Sequence, residues 1–145
     1  ANQSEWPEER AEAFEHLANI HKSRREFNLA VKACILALDE DPERKSLFTT
    51  LASIYTDRSE WEKALFWVKL SDKISDKLTT LTLSPRDMKL MRLVVLYNAY
   101  LNLGKADEAY EVATEMLKIV PNDASAKEVY REATKKRIQG MIADL

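Results

Sequence analysis

The feature that most constrains this chain is an internal repeat. Sliding the sequence on itself by 34 residues places Phe14 over Phe48, Leu17 over Leu51, Ala18 over Ala52, Phe27 over Trp61 and Ala30 over Ala64. Five matches in one register, all at small or apolar positions, exceed what a generic amphipathic pattern supplies. A third copy follows at a shift of 45, with Phe48 over Leu93, Leu51 over Leu96, Tyr55 over Tyr100 and Ala64 over Ala109. The extra residues are an insertion at 79–89. It ends in Ser84-Pro85-Arg86-Asp87, a cap, a proline suited to the first helical position and a first-turn acid, so a helix is expected to begin there.

Units of this length need elements that alternate with short turns. With Gly 2 and Pro 4 among 145 residues, few breakers are available and helices are favoured. The periodicity predicts seven of them, at 7–23, 26–40, 44–57, 60–78, 85–103, 105–119 and 123–140. In the last, Ala126, Val129, Tyr130, Ala133 and Ile138 alternate with Lys127, Arg131, Glu132, Lys135 and Lys136. That is the pattern of a helix capping a stack, one side on its neighbour and the other in water.

The spacing and residue types resemble the tetratricopeptide repeat, a helix-turn-helix unit. For the family's large, large, small, aromatic, Ala, apolar, Ala and Pro, residues 11–44 supply Phe14, Leu17, Ala18, His21, Ala30, Cys34, Ala37 and Pro42. Residues 45–78 supply Phe48, Leu51, Ala52, Tyr55, Ala64, Val68 and Ser71, with Asp76 where Pro is expected. Residues 90–123 supply Leu93, Leu96, Tyr97, Tyr100, Ala109, Ala113, Met116 and Pro121. The departures are Asp76, Tyr97 and Met116. The resemblance implies an all-α, right-handed stack of three helical hairpins plus a C-terminal capping helix, one domain over 1–145. Gly104 suits the hairpin turn, where the first two copies have Arg25 and Ser59. A left-handed conformation there would cost about 1 kcal/mol each, so those turns are expected to be less ideal or differently shaped.

In such stacks the first helix of each hairpin lines a concave groove. The resemblance places Glu12, Glu15, Asn19 and Lys22 there from the first copy, Ser46, Thr49, Ser53 and Thr56 from the second, and Met91, Val94, Asn98 and Leu101 from the third. The groove would grade from charged through hydroxyl-rich to apolar, suited to a protein or peptide segment, with Asn19 and Asn98 bonding main-chain amides. Alternatively, the polar half is merely solvated and the apolar half is covered by the insertion or by a neighbouring domain. Co-chaperone repeats that hold the C-terminal carboxylate of heat-shock proteins use Lys, Asn and Arg at positions that here read Glu15, Asn19, Thr50, Met91 and Val95. Only Asn19 matches, and with no cation for the carboxylate that mode is disfavoured.

The remaining residues argue against catalysis and cofactors. Lys plus Arg total 22 and Asp plus Glu total 24, which gives no broad attraction for nucleic acid. His16 and His21 lie about 140° apart on a helix and cannot share a metal, and His21 reads as semi-buried. Cys34, flanked by Ala33 and Ile35, reads as a small buried hydrophobe, and two glycines make no phosphate-cradling loop. Asp39, Glu40 and Asp41 read as a solvated turn and Trp61 as core, with Trp6 and Trp67 less constrained. No apolar run is long enough to span a membrane, and a cytoplasmic setting is expected. Glu5, Glu8, Glu9, Glu12 and Glu15 load the first helix and Lys127, Arg131, Lys135, Lys136 and Arg137 the last. Helix-end preference and solvated faces account for this more readily than self-association. The start at alanine is compatible with a processed terminus or a fragment. The segment Trp61 to Trp67, with Tyr100 to Lys105 and Pro121-Asn122-Asp123, also resembles helical segments attached to family-2 glycosyltransferases, which implies an auxiliary domain of a larger enzyme as the alternative reading.

Overall fold

The structure, a computed structural model, describes residues 6–74 and 84–145. Among these are seven helices and no strand: α1 (Pro7–Ser23), α2 (Phe27–Glu40), α3 (Lys45–Asp57), α4 (Trp61–Ser71), α5 (Pro85–Asn102), α6 (Ala106–Ile119) and α7 (Ala124–Ala143). Every start falls within one residue of its expected place. Pro7 and Pro85 occupy first positions, Ser84 Oγ accepts the Asp87 amide at 3.1 Å, and Asp123 accepts that of Ala126 at 2.9 Å.

Two ends differ from expectation. Helix α4 stops at Ser71, not at 78, where Ser71 Oγ donates to the Val68 carbonyl at 2.6 Å. The amides of Asp72, Lys73 and Ile74 then reach back only three residues, to Lys69, Leu70 and Ser71, so the α pattern tightens into a turn. In α2 and α6 the corresponding places are Ala37 and Met116, which have no competing hydroxyl. The Asp76 departure and residues 79–83 of the insertion lie outside the described residues. At the other end, α7 runs on to Ala143 through Gly140, which is tolerated within a helix at about 1 kcal/mol.

The three hairpin turns have one shape, contrary to the expectation for the first two. In each, a left-handed residue follows the helix: Arg25 at φ 60°, Ser59 at φ 60° and Gly104 at φ 76°. The following amide then bonds the carbonyl five residues back, Glu26 to His21 and Glu60 to Tyr55 at 2.9 Å, and Lys105 to Tyr100 at 2.8 Å. The left-handed residue itself bonds the carbonyl three back. Both bonds satisfy carbonyls that a helix end otherwise leaves open. Hydrogen bonding thus imposes the left-handed conformation even where no glycine relieves it.

Contacts cluster into two compact units, residues 1–79 and 80–145. In the first, α1 packs on α2, α3 packs on α4, and both α1 and α2 touch α3. Small residues set this close approach: Ala11, Ala18, Ala30 and Ala37 are fully buried around Cys34, with Leu47, Leu51 and Ile54 completing the core. Burying each such leucine contributes about 1.5–3 kcal/mol. Trp67 packs against this core and lies 5.9 Å from Phe48, whereas Trp61, expected in the core, is half-buried. In the second unit α6 packs on both α5 and α7, with Ala99, Ala109, Ala113 and Ala133 fully buried.

Candidate interaction surface

The first helices of the hairpins carry the expected groove positions, and their environments differ. In α1, Glu15 is only 5% exposed and its carboxylate accepts Arg44 Nε at 2.8 Å. Glu15 is therefore engaged inside the chain and does not stand free on a groove, which corrects its sequence-based placement. Arg44 is the residue before α3, and sequence reasoning passed over it because the two are joined only through packing. Arg44 Nη2 and the nearby Ser46 Oγ are buried without a protein partner, an arrangement whose cost is about 1–3 kcal/mol per dry group.

A second ion pair joins α1 and α3 at their C-terminal ends, Lys22 Nζ to Asp57 at 3.4 Å. Glu12 is half-buried and lies 3.7 Å from His16, Asn19 is exposed, and Ser46, Thr49, Ser53 and Thr56 are half-buried. Thr56 Oγ1 is turned onto the Ala52 carbonyl at 2.8 Å and Thr50 Oγ1 onto that of Ser46 at 3.0 Å. The α1–α3 face is accordingly a strip of small polar groups, Asn19, Thr49 and Ser53, between two ion pairs.

In α5, Met91 and Val94 are 45% and 44% exposed, with Asn98 and Leu101 half-buried beyond them. The backbone carbonyl of Asn98 accepts Asn102 at 2.8 Å, which leaves the Asn98 amide side chain free of that bond. Tyr97, where the repeat normally places a small residue, is buried and its hydroxyl donates to Glu132 Oε1 of α7 at 2.6 Å. Burial first, then the Glu132 carboxylate, push this phenol well above the usual tyrosine range.

Other sequence readings fall as follows. Cys34 is fully buried, and burial reinforced by the Glu15 charge pushes its thiol up to about 12, so it is inert near neutrality. His21 is half-buried and 3.0 Å from Glu26, and Glu40 pairs with Arg10 at 3.0 Å. Leu17, expected to pack, is 42% exposed. A depression of about 610 Å3 on α5 and α6 is lined by Lys89, Tyr110, Glu111, Thr114, Glu115, Lys118 and Ile119 and contains none of the groove positions. Of its two cations, Lys89 and Lys118, the first is paired with Glu115 at 3.2 Å. Among the described residues no helix is long and apolar enough to cross a membrane and no His, Cys, Asp and Glu group could hold a metal.

Solved structures share this arrangement. The Arabidopsis OM64 TPR domain aligns at a TM-score of 0.73 and 16% identity, covering 89% of this chain and 98% of its own. The chain has the tetratricopeptide-repeat fold. The first TPR of Spaghetti (RPAP3), bound to the HSP90 peptide SRMEEVD, aligns at 0.71 and 18% identity over 88% of this chain and 95% of that one. The first TPR domain of human RPAP3 aligns at 0.72 and 18% identity over 90% and 94%. No protein-family model and no curated protein matches the sequence, so the glycosyltransferase resemblance has no counterpart among them. The tetratricopeptide fold accounts for the two interior departures that the structure describes: Tyr97 and Met116 are both buried at their expected packing places.

Proposed function

We propose that this chain is a non-catalytic protein-interaction module that holds an extended protein segment against the first helices of its hairpins. The observation that carries this reading is the exposed apolar pair Met91 and Val94 beside Asn98, at positions that the tetratricopeptide arrangement directs to ligand. A peptide-bound protein among the solved structures of the same fold supports it. On α5 the apolar pair would anchor an apolar side chain of the segment, with Asn98 bonding its main chain; the α1–α3 face, taken by itself, offers the amide and hydroxyls of Asn19, Thr49 and Ser53 to a main chain.

The anchor would not be a C-terminal carboxylate. Glu15 is closed by Arg44, Thr50 is turned onto its own helix, Val95 is buried and Met91 is apolar, so none of these places offers a cation. The test is a display library of random peptides, with hits measured by fluorescence anisotropy against the parent chain and a Val94→Glu, Asn98→Arg variant of unchanged helical circular dichroism. Hits that carry an apolar anchor and lose at least about tenfold in affinity on the variant are expected, while SRMEEVD itself shows no saturable binding. Hits that bind parent and variant equally would refute the groove reading.

A further inference from the structure

Helices α3 and α7 each have a side that meets the helix before it. In α3 this side is Leu47, Leu51 and Ile54, all 0% exposed, and in α7 it includes Ala126 and Ala133, buried on α6. The same places in α1 are Ala13, Leu17 and Ile20, and here Leu17 and Ile20 are 42% and 48% exposed. Trp6, seven residues before Ala13 and 63% exposed, prolongs the stripe, and Leu29 and Leu36 are exposed on α2. This edge is a helix-packing surface open to solvent, and Glu9, four residues before Ala13, lies beside it and gives its beginning a negative charge.

The last turns of α7 are the opposite in charge and alike in polarity. Ile138, Met141 and Ile142, spaced for one side of a helix, are exposed, while Tyr130 and Ala133 face the core. Exposed Lys135 adjoins them, with Arg131 one turn earlier.

We propose that these two surfaces are partners: the end of α7 in one copy of the chain lies along α1 of a second copy. Leu17 and Ile20 would then meet Ile138 and Ile142, as Leu51 and Ile54 meet their own neighbours, with Glu9 of α1 on the same side as Lys135 of α7. Two different faces meet, so the contact is head-to-tail and leaves one of each open on every pair, extending to further copies. One helix on one edge is a small interface, below about 1,200 Å2 in total, and gives the concentration-dependent association of a weak encounter. It involves neither of the faces assigned to peptide binding, so it stands or falls independently of them.

Sedimentation velocity over a ~100-fold concentration range is expected to show the weight-average mass rising from that of the monomer to at least about twice it, and falling back in ~0.5 M salt. Leu17→Glu, Ile20→Glu changes only exposed positions of α1, and Ile138→Glu, Ile142→Glu only exposed positions of α7. Each variant alone should stay monomeric with unchanged circular dichroism, and an equimolar mixture should form a one-to-one dimer and nothing larger, since one intact face of each kind remains. A parent chain that stays monomeric throughout would overturn the proposal and leave the α1 edge to a different protein. So would a single variant that associates as well as the parent, which would mean like-with-like pairing, or a mixture that stays monomeric.

Discussion

At the fifth place of the repeat the first hairpin carries Glu15, buried against Arg44, and the third carries exposed Val94. At the eighth they carry Ala18 and Tyr97, both buried, and at the turn Arg25 and Gly104, both left-handed. The backbone is the same in each case, down to the pair of hydrogen bonds that closes the turn. Equivalent places therefore do different physical work: one hairpin uses its fifth place to bind itself internally, and the other leaves that place available.

The comparison breaks most visibly at Glu15. Glu15→Ala leaves the Arg44 guanidinium buried and uncompensated, and urea denaturation should show a loss of about 3–5 kcal/mol. Val94→Ala at the matching exposed place should cost less than about 1 kcal/mol. A Glu15→Leu, Arg44→Met double variant sharpens the point, because replacing both charges is expected to recover most of that loss. Equal losses at Glu15 and Val94 would show that the two places are not used differently.

Tyr97 comes next. Tyr97→Phe keeps the ring but removes the 2.6 Å bond to the Glu132 carboxylate, with an expected loss of about 1.5–3 kcal/mol. Combined with Glu132→Gln, it should lose less than the two single changes summed, as coupled partners do. The turns give the smallest effect. Arg25→Gly should stabilise by about 1 kcal/mol and Gly104→Ala destabilise by a similar amount, both read from thermal melts, because only the glycine escapes the left-handed penalty. If Arg25→Gly destabilises instead, the contact of its guanidinium over the Phe27 ring at 5.0 Å outweighs the backbone term.

Much of the fold was legible because its signals are local. Pro7, Ser84-Pro85 and Asp123 mark starts through their own backbone chemistry, and the spacing of small residues such as Ala18, Ala30 and Ala109 gives the register. The candidate site was less so. Arg44 is 29 residues from Glu15, and no periodicity links them. Leu17 carries the same apolar signal as Leu51, but what covers a side chain is decided by a neighbouring element and not by the residue itself. The early end of α4 comes where one serine hydroxyl turns onto its own helix, and the choice of Trp67 over Trp61 for the core depends on which side of α4 meets Phe48.

The packing order carries a consequence for how the chain acquires its structure. Each helix rests mainly on one next to it in sequence, and the buried residues of the first unit come no later than Ser71. Within the first unit the loops that must close are short, the property that accompanies rapid folding in small helical proteins. A ribosome releasing this chain from its N-terminus would have delivered every residue of that core before α5 began to emerge, so the first unit can bury its apolar residues while the second is still being made.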